Sequence, residues 1–122
     1  MSITRTVQGD TLILSDETAP VLTLKETQDD AGVLVGMEGS LRSDTVHDFQ
    51  DELVALATLG LDMRLDFSKV TYLSYACMQT LLVVQQKMDS MGRGSLTLVK
   101  VPSAILAEME STGISELLFI DD

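Results

Sequence analysis

The stretch Leu65-Asp66-Phe67-Ser68-Lys69-Val70-Thr71-Tyr72-Leu73-Ser74-Tyr75-Ala76-Cys77-Met78 joins two periodicities. Upstream, Met63 to Phe67 is short, rich in apolar residues and closed by polar Ser68-Lys69, which reads as a strand. Downstream, Met78, Leu81, Leu82, Gln85 and Met88 recur at helical spacing until Gly92-Arg93-Gly94. A strand that feeds a helix is half of a β-α-β unit, and Ser95 to Val101 supplies the next strand. Its Leu96, Leu98 and Val99 are close enough in sequence to suggest burial on both faces.

The same alternation extends outward. Val46, Phe49, Leu53 and Leu56 form one stripe of a helix over about residues 44–59, with Asp44 near its positive end and Gly60 as its stop. Before it, Val21, Leu22 and Leu24 suggest a strand, Gln28 to Gly32 a turn, and Val33 to Met37 a second strand. After the central unit, Ser103 to Ser111 carries Ile105, Leu106 and Met109 at helical spacing, Gly113 ends it, and Leu117 to Ile120 offers a last strand. Thr11 to Leu14 sits between turn residues and reads as an edge hairpin or arm. Residues 1–20 are therefore set apart from a domain spanning 21–122. Strands alternating with helices argue for an α/β fold with a mainly parallel sheet, because a helix is the usual return path between parallel neighbours.

Composition narrows the function. The 122 residues hold one domain's worth of core. With 8 Lys and Arg against 19 Asp and Glu, the net charge is −11. Such a surface repels phosphate backbones and anionic headgroups, which argues against nucleic-acid binding. No apolar run approaches the roughly 20 residues needed to span a bilayer, and Met1 to Asp10 lacks the basic-then-apolar pattern of an export signal, so neither membrane insertion nor export is expected. Cys77 is the only cysteine, which suits a reducing compartment, and the cytoplasm is the default location.

The chain offers little for catalysis. His47, the only histidine, lies in a helical segment beside Asp48 and reads as a surface residue lacking the partners of general-base work. Cys77 opens an apolar helical segment, where a small buried residue is the plain reading, although a helix N-terminus lowers a thiol's pKa and makes alkylation worth testing. Gly92-Arg93-Gly94 is too short for a phosphate-binding fingerprint and reads as a turn. The acidic pairs Asp29-Asp30 and Asp121-Asp122 lack the spacing of a calcium loop. Neither a metal nor a cofactor is expected, and the chain does not read as an enzyme.

The run from Leu65 to Leu73 resembles the strand-to-loop signature of STAS domains, a family that includes bacterial anti-sigma factor antagonists. Gly39-Ser40-Leu41 is similar to the family's Gly-x-Leu-Asp before its first helix. Thr112-Gly113-Ile114 with Leu117-Leu118-Phe119 is similar to its closing element. The resemblance covers about Val21 to Ile120 and implies a mixed, mainly parallel sheet of four to six strands with three to four helices. In the antagonists, the second serine of Asp-Ser-Ser-Gly is phosphorylated by the anti-sigma factor, a serine kinase. The matching residues here are Ser74-Tyr75-Ala76-Cys77, so Ala76 has no hydroxyl, Cys77 replaces the glycine, and Arg42 replaces the aspartate after Gly-x-Leu.

The resemblance implies a non-catalytic interaction module that binds an anti-sigma factor or serine-kinase-like regulator without the usual phosphoserine switch. Its partner-binding loop is Ser74, Tyr75, Ala76 and Cys77, flanked by Gly39, Leu41, Arg42, Ser43, Asp44 and Met78. Ser74 is the candidate substitute phosphoacceptor, with Tyr75 behind it, and a homodimer is compatible with this reading. Two alternatives remain open. One is a solo STAS subunit of a larger complex, such as a lipid-transport ATPase or a stress-signalling scaffold. The other is a nucleotide or small-ligand sensor, which requires Arg42, Lys69 and Arg93 to cluster against the net negative charge.

Overall fold

The computed structural model describes residues 3–121. Seven strands form one sheet in sequence order: β1 (Thr4–Gln8), β2 (Thr11–Ser15), β3 (Pro20–Asp29), β4 (Gly32–Leu41), β5 (Met63–Leu73), β6 (Leu96–Val99) and β7 (Phe119–Asp121). The first three pairings are antiparallel and the last three parallel. Five strands therefore run one way and two, β1 and β3, the other, giving a mixed sheet. The strand beyond the expected four to six is β1, whose residues are all exposed and leave no burial pattern in the sequence.

Three helices connect the parallel strands: α1 (Val46–Ala57), α2 (Tyr75–Met91) and α3 (Ser103–Ser111). Short 3₁₀ turns at Ser43–Thr45 and Ile114–Glu116 precede α1 and follow α3. Each crossover advances one strand in the same direction. Right-handed connections of that kind place every helix on one face of the sheet. Burial agrees: Val33, Val35 and Met37, Met63, Leu65 and Phe67, and Leu96 and Leu98 join Phe49, Leu53, Leu81 and Val84 in a single core. Burial of β6 on both faces is not found. Thr97 and Val99 are half-buried, because no helix among the described residues covers the opposite face of the sheet.

β5 runs to Leu73, six residues beyond the segment Met63 to Phe67 that the sequence marks as a strand. The register shifts between Gly36 and Glu38 and again between Gly39 and Ser40 of its neighbour. Core positions therefore go from Met63, Leu65 and Phe67 to Val70 and Leu73, a step of three that erases the strand period from the sequence. Gly39 is required where these strands crowd. Its φ is +115°, and a Cβ there would lie 2.2 Å from the Val21 carbonyl oxygen of β3.

An acidic contact fastens the amino-terminal hairpin to the helical layer. Arg5 of β1 donates to Glu52 of α1 at 2.8 Å and stands 3.8 Å from Asp48. Glu52 also meets the Glu26 carboxyl of β3, whose Oε2 is buried without a protein donor. Two ionised carboxylates cannot share a hydrogen bond, so Glu26 keeps its proton and donates to Glu52. Desolvation, then contact with Glu52, pushes Glu26 up to about 8, while Glu52 is held below its ordinary value by that same bond and by Arg5.

The sign of the pH effect follows. Between pH 4.5 and about 8 the folded chain retains a proton on Glu26 that the unfolded chain has lost, so stability falls as pH rises through that window. Glu26→Gln keeps a hydrogen-bond donor toward Glu52 and removes the titration. The urea midpoint of the wild type is expected to decline from pH 5 to 8.5 more steeply than that of Glu26→Gln, and equal slopes would refute the shared proton.

Candidate functional site

The carboxyl ends of β4 and β5 make one corner, where open parallel sheets usually place their ligands. Leu41 and Leu73 are cross-strand partners, and the Ser74 N–H donates to the Leu41 carbonyl at 2.9 Å. The chain then leaves β5 into α2. Ser74 is its N-cap, with extended backbone and a side-chain oxygen that accepts the Cys77 N–H at 3.2 Å. Serine suits this position because a short side chain reaches back to a free amide of the first turn.

The opposite wall is the turn after β4. The Arg42 carbonyl accepts the Thr45 hydroxyl at 2.8 Å, the Thr45 N–H at 3.1 Å and the Cys77 thiol at 3.6 Å. Its guanidinium grips Asp44 through Nε at 2.9 Å and Nη2 at 2.6 Å, and reaches Asp16 at 3.4 Å. Asp16 is itself fixed, because its Oδ1 accepts Thr18 N–H, Thr18 hydroxyl and Ala19 N–H in the β2–β3 turn. Those backbone bonds first, and Arg42 last, lower the Asp16 carboxyl to about 2. Contact with Arg42 likewise holds Asp44 below its ordinary value. Arg42 is thus a clamp between two loops.

The residues singled out from sequence meet at this corner in two groups. Arg42 is half-buried and Ser43 and Asp44 exposed; Tyr75 is 60% exposed and Ala76 half-buried. These present side chains to solvent. Leu41, Ser74, Cys77 and Met78 are buried, and half-buried Gly39 lies back in β4 against β3. Cys77 has no accessible sulfur, and burial, with Asp44 adding to it, pushes its thiol up rather than down. The lowering sometimes seen at helix starts is absent here because the surrounding core disfavours the thiolate. His47 is exposed on the first turn of α1. Arg42, Lys69 and Arg93 do not form one cluster: Arg42 is clamped before α1, Arg93 lies against Gly60 after α1, and Lys69 faces a separate trough on the sheet.

Two further residues of the corner carry no site signal in the sequence. Tyr72 is 51% exposed because the second register shift of β5 turns it out of the core, and it borders a cleft of about 70 Å³ with Ala104 and Glu108 of α3. Asp16 is 26 positions from Arg42 and carries no local signal of that partnership. Tyr72 and Tyr75 flank the capping serine on either side and supply the exposed aromatic surface of the corner.

The family model described as Mlab, STAS domain matches residues 24–119. Among solved structures, a putative anti-sigma factor antagonist from Thermotoga maritima aligns at 16% identity over 81% of this chain and 86% of that one, with a TM-score of 0.72. An anti-sigma factor antagonist from Mycobacterium paratuberculosis gives 16% identity, 81% and 84% coverage and a TM-score of 0.72. The anti-sigma factor antagonist SpoIIAA in its unphosphorylated form gives 12% identity, 81% and 87% coverage and a TM-score of 0.62. At these identities the likeness is one of fold. No curated protein matches the sequence.

The cap and the thiol are testable together. Ser74→Ala is expected to cost about 1 kcal/mol of stability by releasing the Cys77 amide, read from the urea midpoint. Native protein should resist iodoacetamide at pH 8 and become labelled only at denaturant concentrations that unfold it. Rapid labelling of the native protein would contradict the burial of Cys77.

Proposed function

This chain belongs to the STAS domain family, and on that premise we propose that it is a non-catalytic module that docks a regulatory protein, an anti-sigma factor or serine-kinase-like regulator, without a phosphoserine switch. The observation that carries the proposal is the state of the hydroxyls at the corner. Position 76 in the first turn of α2 is alanine, and Ser74 is buried with its oxygen committed to the helix cap. Phosphorylating Ser74 requires breaking the cap and extracting a buried side chain, so Ser74 is a poor substitute acceptor. Tyr75 is accessible, but its hydroxyl is carried at the end of a ring and on the neighbouring residue, so it does not reproduce a serine at position 76.

The docking surface in this reading is Arg42, Ser43 and Asp44 on one side and Tyr75 and Ala76 on the other, with Tyr72 beside them. Rigidity suits it for recognition, since the clamp of Arg42 between Asp16 and Asp44 is assembled before any partner arrives and lowers the ordering cost of binding. Exposed tyrosine supplies the contact area typical of interface anchors. A second reading, a solo STAS subunit of a larger assembly such as a lipid-transport ATPase, is favoured by the description of the family model as Mlab, STAS domain. The two readings differ in the size and stability of the complex formed.

The test mixes this chain with kinase-like anti-sigma factors from the same genome and ATP, followed by sizing and intact mass. Co-elution without an added phosphate is expected, weakened about tenfold or more by Tyr75→Ala. A mass gain of one phosphate would overturn the switchless reading. Absence of any complex, together with recovery of the chain from its native source in a large stable assembly, would move the function to the subunit reading.

A further inference from the structure

The sheet face opposite the helices carries two adjoining troughs. One, about 250 Å³, is floored by Gly36 and lined by Lys25, Glu38, Asp66 and Lys69 among others. The second, about 300 Å³, is lined by Leu34, Arg64, Val99, Lys100 and Asp121, and shares Asp66 with the first. Four of the chain's eight Lys and Arg thus stand here with three of its nineteen Asp and Glu. None of the four cations forms an ion pair among the described residues, whereas Arg5 and Arg42 do. On a chain of net charge −11, this surface gathers four cations against three carboxylates with no close ion pair among the described residues, although Asp66 accepts the Ser68 N–H and lies within the field of Lys69 and Lys100. Apolar groups accompany them, with Leu34 and Val99 half-buried and Phe119 60% exposed at the β7 edge.

Register makes the pattern self-complementary. Lys25 and Asp66 are the cross-strand partners of Gly36 on its two sides. They are therefore about 10 Å apart, too far for a close pair within one chain. A two-fold axis between two facing sheets, parallel to β4, lays β3 of one copy over β5 of the other. It sets Lys25 of each copy over Asp66 of the second, Gly36 over Gly36 and Leu34 over Leu34. Glu38 of one copy likewise falls over Glu38 of the other near the axis, a like-charge contact that the cross-strand neighbour Lys69 of each copy flanks and offsets. Sheets pack at about 10 Å with strands nearly aligned, and Gly36 leaves space for the long Lys25 side chains.

We propose that two copies of this chain associate through this bare sheet face, as an isologous sandwich ordered by reciprocal Lys25–Asp66 pairs. The interface is separate from the corner around Tyr75, so a dimer leaves both docking surfaces free.

The experiment is sedimentation equilibrium of the full chain up to roughly 500 µM, a range that reveals weak, standard-sized interfaces. The wild type is expected to dimerise. Lys25→Glu and Asp66→Lys, each alone, place like charges across both reciprocal contacts and should weaken self-association about tenfold or more. An equimolar mixture of the two variants should recover dimers, because every contact in the mixed pair is again opposite in sign. Asp66 also accepts the Ser68 N–H at 2.8 Å, so circular dichroism must confirm that its variant folds. Should it not, Leu34→Lys, on the proposed axis, serves as the disrupting variant, with Val83→Lys on exposed α2 surface leaving the dimer intact. A monomer at every concentration overturns the proposal, as does a dimer insensitive to Lys25→Glu or a mixture that fails to recover. A monomer that binds an acidic peptide through Lys25 and Lys69 also overturns it and assigns the face to a different partner.

Discussion

One backbone hydrogen bond, from Ser74 N–H to the Leu41 carbonyl, closes the parallel pair β4–β5 at the end from which both chains depart. Its 2.9 Å separation fixes where α2 starts relative to the turn that leads into α1. Everything at the corner is arranged around that point. Ser74 is held so that its oxygen meets the Cys77 amide, Cys77 so that its thiol meets the Arg42 carbonyl, and Arg42 so that its side chain reaches both Asp44 and Asp16. Gly39 lets β4 bend against β3 just before this pairing ends.

The charge at the corner follows the same logic. An arginine at position 42, beside a helix start, would by itself favour an anion. Here its guanidinium is already satisfied by two carboxylates, one of them lowered to about 2 and so ionised at any pH near neutrality. α2 has no acidic residue in its first turn, and alanine occupies the second residue of that turn. The corner thus offers an aromatic and polar surface with its charges paired internally. Such a surface is suited to contact through shape and desolvation more than to long-range attraction.

Much of the fold was legible because its elements keep their own periods. The α1 stripe Phe49, Leu53 and the α2 stripe Met78, Leu81, Met88 are core in the structure as their spacing requires. β5 beyond Phe67 was hidden, because two register shifts replace alternation with steps of three. β1 was hidden because pairing through backbone alone, with every side chain exposed, leaves no apolar pattern to read. At the site, the ordered resemblance located the corner, but spacing does not tell which side chains face outward. Ser74, Cys77 and Met78 are inside, and Tyr72 is outside, for reasons set by the cap and the bulge. The Arg42–Asp16 contact lies beyond sequence reading altogether, since it depends on how the β2–β3 turn folds back over 26 positions.

The uneven distribution of charge has a structural origin. With all helices on one face, the alternating strands must place their second set of side chains against solvent, and apolar residues there would invite indiscriminate association. Lys25, Arg64, Lys69, Glu38 and Asp66 occupy most of those positions among the central strands and surround the half-buried Leu34 and Val99. They keep the face wet in a monomer, yet their alternation of sign across Gly36 removes the repulsion that the remainder of a −11 chain imposes on any close neighbour. Solubility and selective approach are therefore met by the same residues. A uniformly acidic face would satisfy only the first, and the glycine between Lys25 and Asp66 supplies the spacing that stops the two charges from satisfying each other within one chain.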